Sequence, residues 1–286
     1  RARHHPAVLQ GGGTGGTAAA VSREIGSTAA VTARRIDDFL PRFDVNEIHR
    51  KRFEAPPEAV WRERVCLVVH PGIPGDRGPS ALDWAIMNGE TEWGVTVLQA
   101  NAVMDGGDVW ATRSFPMRAA RKSSLYRNEV TEAATAAVLE AVEKYEQGGF
   151  KPTPLDYANP AVRGTERPQM KQDDRRVDWT RDDTATVLRK LRASDSFPGL
   201  ADRIAGVDCW LFNGYAEGTL RGAYPKGTSC GAHPGAIIAQ RQGALCRATI
   251  DGAVWLTHAK RKTDQPTFKL PAAQALPEAA ANVPES

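Results

Sequence analysis

The run Val65-Cys66-Leu67-Val68-Val69, followed at once by His70-Pro71-Gly72, constrains this chain most. Five consecutive apolar residues, with none left to face water, predict an interior strand of a parallel sheet, buried on both faces. The run ends in an ionisable imidazole and then a Gly/Pro-rich loop, Gly75-Asp76-Arg77-Gly78-Pro79-Ser80. The carboxyl end of a strand is where open α/β sheets gather their ligands. A second apolar strand over residues 94–99 runs into Met104-Asp105-Gly106-Gly107-Asp108. Two strands thus deliver a histidine and a carboxylate towards one edge, the arrangement of an acid/base site.

The surrounding pattern supports an α/β domain. Ser80 with Asp83 three residues later predicts a capping box opening a helix over 81–87, and Asn88-Gly89 predicts its left-handed stop. A further strand is expected near 109–115. Tyr126, Val130, Ala133, Ala137, Ala141 and Tyr145 recur at helical spacing and predict one long amphipathic helix on the sheet. Alternating strands and helices indicate the α/β class. Residues 151–170 are aperiodic and suit a linker. Beyond them a helix is expected over 180–193 with Val187, Leu188 and Leu191 as its apolar face. Short strands at 207–212, 235–239, 245–250 and 253–258, parted by glycine turns, predict a small antiparallel barrel. The Ala/Pro/Glu-rich residues 271–286 read as a linker or disordered tail.

The first 54 residues carry few large apolar side chains. Gly11, Gly13 and Gly16 match G-x-G-x-x-G, but no strand precedes them, so a dinucleotide fingerprint is rejected in favour of a flexible Gly-rich segment. With 286 residues, two domains are expected on a prior of roughly 150 residues each. Net charge is +3, too balanced to argue for a nucleic-acid or membrane partner by field alone. No apolar run approaches the roughly 20 residues of a bilayer span, and no signal sequence is visible. Cys66, Cys209, Cys230 and Cys246 lack the spacing of a metal site or disulfide framework, so no metal is expected and the cytoplasm is the default compartment.

His70 with its loop through Arg77-Gly78, then Gly94-Val95-Thr96-Val97, then Asp105-x-Gly107-Asp108, resembles the 10-formyltetrahydrofolate-dependent formyltransferase family. Met170-Lys171, Val177-Asp178-Trp179 and Arg192-Ala193 through Pro198-Gly199 resemble the start of that family's C-terminal domain. Within the family, the sequences His70–Ser80 and Arg192–Gly199 look most like the hydrogenase maturation factors HypX and HoxX. The resemblance implies a Rossmann-like domain with a mostly parallel sheet, over 55–165, and a small OB-like β-barrel domain over 166–270. Residues 1–54 fall outside it as an irregular or mis-framed segment.

The resemblance also implies the chemistry. Its formyl donor would be 10-formyltetrahydrofolate and its acceptor coenzyme A, serving carbon monoxide ligand synthesis for nickel–iron hydrogenase. Implied partners are an enoyl-CoA hydratase-like domain, which lies beyond this chain, and hydrogenase maturation proteins. Asp105 would be the base and His70 the donor to the oxyanion, while Gly72, Arg77, Gly78, Gly107 and Asp108 would bind the folate. Arg77 could instead pair with Asp76, and Asp105 or Asp108 could close an Asx turn. Amine-formylating relatives carry an asparagine two residues before the histidine; here that residue is Val68. A thiol, with a pKa of about 8.5, needs less help from such an amide than a protonated amine. Two alternatives stand beside this reading: a methionyl-tRNA or other amine formyltransferase, with nucleic acid as partner in the tRNA case, and a non-catalytic formyltransferase-like fragment.

Overall fold

The computed structural model describes residues 65–218, 232–265, 267–281 and 283–285. The glycine motif at residues 11–16 and the rest of residues 1–54 lie outside the described residues. Three strands, β1 (Leu67–His70), β2 (Glu92–Gln99) and β3 (Val109–Pro116), form one sheet in that order. Both pairings are antiparallel, with His70 opposite Thr96 and Thr96 opposite Thr112. Among the described residues these pairings are antiparallel, not the parallel ones expected for the apolar run, while the alternation of strands and helices keeps the α/β class expected. Among the described residues β1 pairs only with β2, and its Val69 is exposed. An apolar run shows what a strand can bury, not which neighbours it has.

Helix α1 (Ala81–Asn88) joins β1 to β2 and ends as expected at Gly89, whose φ of 69° closes the turn on Ala85 and Ile86. Its start differs from the expected capping box. Ser80 Oγ accepts the backbone N–H of Met170, and Asp83 forms ion pairs with Lys122 and Arg175. After β3 comes α2 (Lys122–Leu125), a π turn (Tyr126–Val130) and α3 (Thr131–Gln147), continuous in direction with the predicted long helix. Val130, Ala133, Ala137 and Ala141 are its buried stripe; Tyr126 and Tyr145 stay exposed. One cluster packs α1 and this helix against Trp93, Val95 and Phe115, and a second joins Ala137 and Ala141 to Val97 and Trp110.

The second half is β-rich. Helix α4 (Thr184–Ala193) buries Val187, Leu188 and Leu191 as predicted, but begins later than expected. Asp178 holds residues 180–182 in a turn, and Asp183 caps the helix by accepting Thr186 N–H at 2.7 Å. Strands β4 (Leu200–Ile204), β5 (Val207–Ala216), β6 (Ile237–Arg241), β7 (Ala244–Ala248) and β8 (Ala253–Arg261) form an antiparallel sheet. Its order is β4-β5-β8-β7-β6, with β9 (Leu270–Pro271) added to β8.

The tail departs from the disorder its composition suggested. Helical turns α5 (Ala272–Ala275) and α6 (Pro277–Ala280) place Ala272, Ala275, Leu276 and Ala279 in the same core as Leu191, Leu211 and Leu256. The physical reason is the apolar spacing of these four residues: two short helical turns, broken at Leu276, lay them together on the sheet. Among the described residues no helix is long and apolar enough to cross a membrane.

Candidate active site

His70 is the last residue of β1, and the sheet register sets it beside Thr96 of β2. The chain then turns sharply: Thr96 Oγ1 donates to Gly72 O at 2.8 Å, and Trp93 Nε1 donates to Pro71 O at 2.9 Å. A second turn, Asp76 N to Ile73 O at 2.9 Å, brings the Asp76 carboxylate back onto the imidazole. His70 Nε2 lies 3.0 Å from Asp76 Oδ1. Towards an ionised carboxylate an imidazole nitrogen can only donate, so this shorter contact favours the tautomer with its proton on Nε2. On the ring's other edge, Nδ1 stands 3.4 Å from Asp105 Oδ2.

The two carboxylates occupy different surroundings. The Asp76 side chain is 0% exposed and that of Asp105 13%. Asp105 sits at φ 51°, a left-handed conformation in which its carboxylate turns back and accepts Gly78 N–H at 3.1 Å. The side-chain bonds that fix this turn come from Asn101 instead: its Oδ1 accepts Val103 N–H and its Nδ2 donates to Gly106 O. The Asx-turn alternative for Asp105 is therefore replaced, and its carboxylate faces the histidine.

The loop is also strapped from outside, by the segment expected to be a linker. Arg77 N donates to Thr165 O, Arg167 N to Arg77 O and Gly164 N to Pro74 O, at 3.1, 2.9 and 3.1 Å. Arg167 Nε comes within 3.4 Å of Asp76 Oδ2. Its aperiodic sequence follows from this: the segment's backbone partners lie in the His70 loop rather than within itself. The Asp76–Arg77 pair weighed from the sequence does not form. Arg77 bonds Glu166 at 2.8 Å and lies over the Tyr157 ring.

The remaining expected folate ligands surround the same loop, but most have structural work there. A Cβ on Gly72 would stand 2.4 Å from His70 Nε2, one on Gly78 2.1 Å from Arg167 O, and one on Gly107 1.7 Å from Gln99 O. Asp108 contributes its carbonyl, which accepts Gln99 N–H. A cavity of about 220 Å³ opens beside the loop between Ile73, Pro74, Gly94, Thr112, Ser114 and Arg163. Sequence reasoning missed Asp76 as the partner of His70 and Arg167 as the partner of Asp76. For Asp76 the signal was a carboxylate inside the loop; for Arg167 there was none.

Comparison with known proteins places this chain among relatives. The formyl transferase profile matches residues 55–142, and the formyl transferase C-terminal domain profile matches residues 169–268. The hydrogenase maturation factor HoxX of Bradyrhizobium diazoefficiens is 49% identical over 230 residues, which cover 80% of this chain and 38% of that protein. A methionyl-tRNA formyltransferase of Roseiflexus sp. is 28% identical over 186 residues, 65% of this chain and 56% of the relative. Among solved structures, HypX from Aquifex aeolicus in complex with tetrahydrofolic acid matches with a TM-score of 0.68 and 50% identity. That match covers 80% of this chain and 38% of HypX. This chain therefore spans well under two thirds of each of these relatives.

Proposed function

Because the chain belongs to the formyl transferase family through both its N-terminal and its C-terminal domain, we propose that it moves the formyl group of 10-formyltetrahydrofolate to the thiol of coenzyme A. The observation that carries this reading is the His70–Asp105 pair, one ring nitrogen and one carboxylate oxygen 3.4 Å apart on the more accessible side of the imidazole. The HoxX relative is a hydrogenase maturation factor and the HypX relative binds tetrahydrofolic acid, which supports both the donor and the pathway. An enoyl-CoA hydratase-like half, beyond this chain, would then release carbon monoxide for the nickel–iron site.

In this reading Asp105 receives the thiol proton and passes it to Nδ1 of His70 as sulfur attacks the formyl carbon. The Nδ1–H then faces the tetrahedral oxyanion and donates to it. Collapse breaks the bond from carbon to the folate nitrogen, which takes the proton and leaves as tetrahydrofolate. The formyl thioester is the other product, so atoms and protons balance. Arg77, whose partner Glu166 is 73% exposed, can exchange that weak surface pair for an anionic group of the folate. Val68 supports a thiol over an amine acceptor, because a hydrocarbon stands where amine-formylating relatives have an amide.

The test is incubation of the chain with ¹⁴C-formyl-labelled donor and coenzyme A. Labelled formyl thioester is expected, with Asp105→Asn slower by roughly 10²–10⁴-fold, the usual worth of general acid–base assistance. Label released only as formate, or an Asp105→Asn rate equal to that of the unsubstituted chain, would sink the assignment.

A further inference from the structure

We infer that Asp76 is the positioning residue for His70, and that Arg167 gives it that role by fixing which way its carboxylate works. The inference rests on the formyl-transfer reading and adds to it the residues that select the imidazole tautomer. Four observations carry it. Asp76 Oδ1 is 3.0 Å from His70 Nε2, its side chain is 0% exposed, and its second oxygen is buried without a hydrogen bond. Arg167 Nε, also buried without a hydrogen bond, stands 3.4 Å from that oxygen. Gly72 is a glycine where any Cβ would strike both His70 Nε2 and Asp76 Oδ1, at 2.4 and 2.8 Å. Gly164 is a glycine where a Cβ would lie 1.8 Å from Asp76 N. The loop and the strap are thus both pared to bare backbone where they meet this carboxylate.

A neutral imidazole carries one N–H, and its place decides what the ring can do. With Nε2–H given inward to Asp76, the Nδ1 lone pair faces Asp105 and the accessible side, where a proton can be taken and returned. With the opposite tautomer, Nδ1–H is already committed to Asp105 and the free lone pair points into the buried interior. Asp76 therefore orients the ring without touching the reacting atoms, the division of labour of a buried carboxylate behind a catalytic histidine.

Asp76→Asn separates orientation from packing, because the amide has nearly the same shape. The Arg167 guanidinium only donates, so it draws the amide oxygen to itself and turns the amide NH₂ towards Nε2. Nε2 must then accept, and the ring changes to the Nδ1–H tautomer. Long-range ¹H–¹⁵N correlation of the full chain, with the His70 signal identified by its loss in His70→Gln, reads the tautomer directly.

The expected result is Nε2–H in the unsubstituted chain and Nδ1–H in Asp76→Asn. In the same variant kcat falls about 10²-fold or more, while KM for the formyl donor stays within about threefold. An Nδ1–H tautomer in the unsubstituted chain overturns the inference and needs no variant to fold. A folded Asp76→Asn with unchanged kcat also overturns it, whatever its tautomer. If the unsubstituted chain transfers no formyl group, the formyl-transfer reading fails, and the tautomer measurement still decides the role of Asp76.

Discussion

Gly72→Ala should uncouple His70 from Asp76 while leaving every titratable side chain in place. A Cβ at position 72 would lie 2.4 Å from His70 Nε2, 2.6 Å from Cδ2 and 2.8 Å from Asp76 Oδ1. Ordinary contacts need about 3.5 Å, so the ring or the carboxylate must withdraw by about 1 Å. The ring has little freedom: it is 4% exposed and meets Asp105 on its other edge at 3.4 Å. The hydrogen bond to Asp76 therefore opens. Bonds to charged groups contribute about 1.5–3 kcal/mol, and overpacking costs about 1–3 kcal/mol, so destabilisation of about 3 kcal/mol is expected. That stays below the usual 5–15 kcal/mol total, and the variant should fold. A misplacement of about 1 Å at a reacting group can cost roughly 10²-fold in rate. Urea unfolding gives the first number and single-turnover formyl transfer the second. A variant with unchanged midpoint and unchanged rate would refute the steric argument. One with lost donor affinity at unchanged single-turnover rate would instead make Gly72 a folate contact.

Leu276→Ala should destabilise the C-terminal half by about 3 kcal/mol, because Leu276 is 0% exposed in the main β-domain core; thermal unfolding unchanged within error would return residues 271–286 to a disordered tail. Gly164→Ala, whose Cβ would stand 1.8 Å from Asp76 N, should free the strap and appear as faster amide exchange at Asp76 and Arg77; unchanged exchange would show the strap is not anchored there. Asp183→Ala should cost about 1 kcal/mol at neutral pH, the usual worth of an N-cap. Hydrogen bonds from Thr186 hold the Asp183 carboxyl below its ordinary range, so its contribution is present above about pH 4 and is lost as pH falls through the depressed value. The gap between the two proteins should therefore close in acid, and a gap that widens there would contradict the cap.

What the sequence reveals follows the range of the interactions involved. The stop of α1 at Gly89 and the Val187/Leu188/Leu191 face of α4 are local, and spacing alone finds them. The stripe of α5 and α6 was equally local, yet Ala and Pro composition outweighed a helical spacing present in residues 272–279. The sense of strand pairing is not local at all: Val68 meets Leu98 and His70 meets Thr96 through a register no short window contains. The same holds for the site. His70 and Asp105 were visible because one ends a strand and the other lies in the glycine turn that follows a strand. Asp76 was visible only as a loop carboxylate with several possible partners, and Arg167 lies in a segment whose order comes from backbone bonds to residues 74–77.

That register also gives Val68 a physical meaning. Side chains two apart on a strand share a face and stand about 7 Å apart along it, so Val68 lies on the His70 face of β1. An asparagine at 68 could therefore aim an amide at the same reacting centre that the imidazole serves. In this chain that face offers hydrocarbon, and the nearest polar hydrogen along β2, the Thr96 hydroxyl, is already spent on Gly72 O. Gly78 N–H, the other donor close by, is held by Asp105. On the formyl-transfer reading, a proton arriving at His70 Nδ1 is then the donor best placed to meet the oxyanion, and it arrives there only if Asp76 keeps the ring's first proton on Nε2. On the same reading the hydrocarbon at Val68 and the buried carboxylate of Asp76 act together: polarisation of the carbonyl falls to the histidine, and Asp76 leaves its outer nitrogen free for that task.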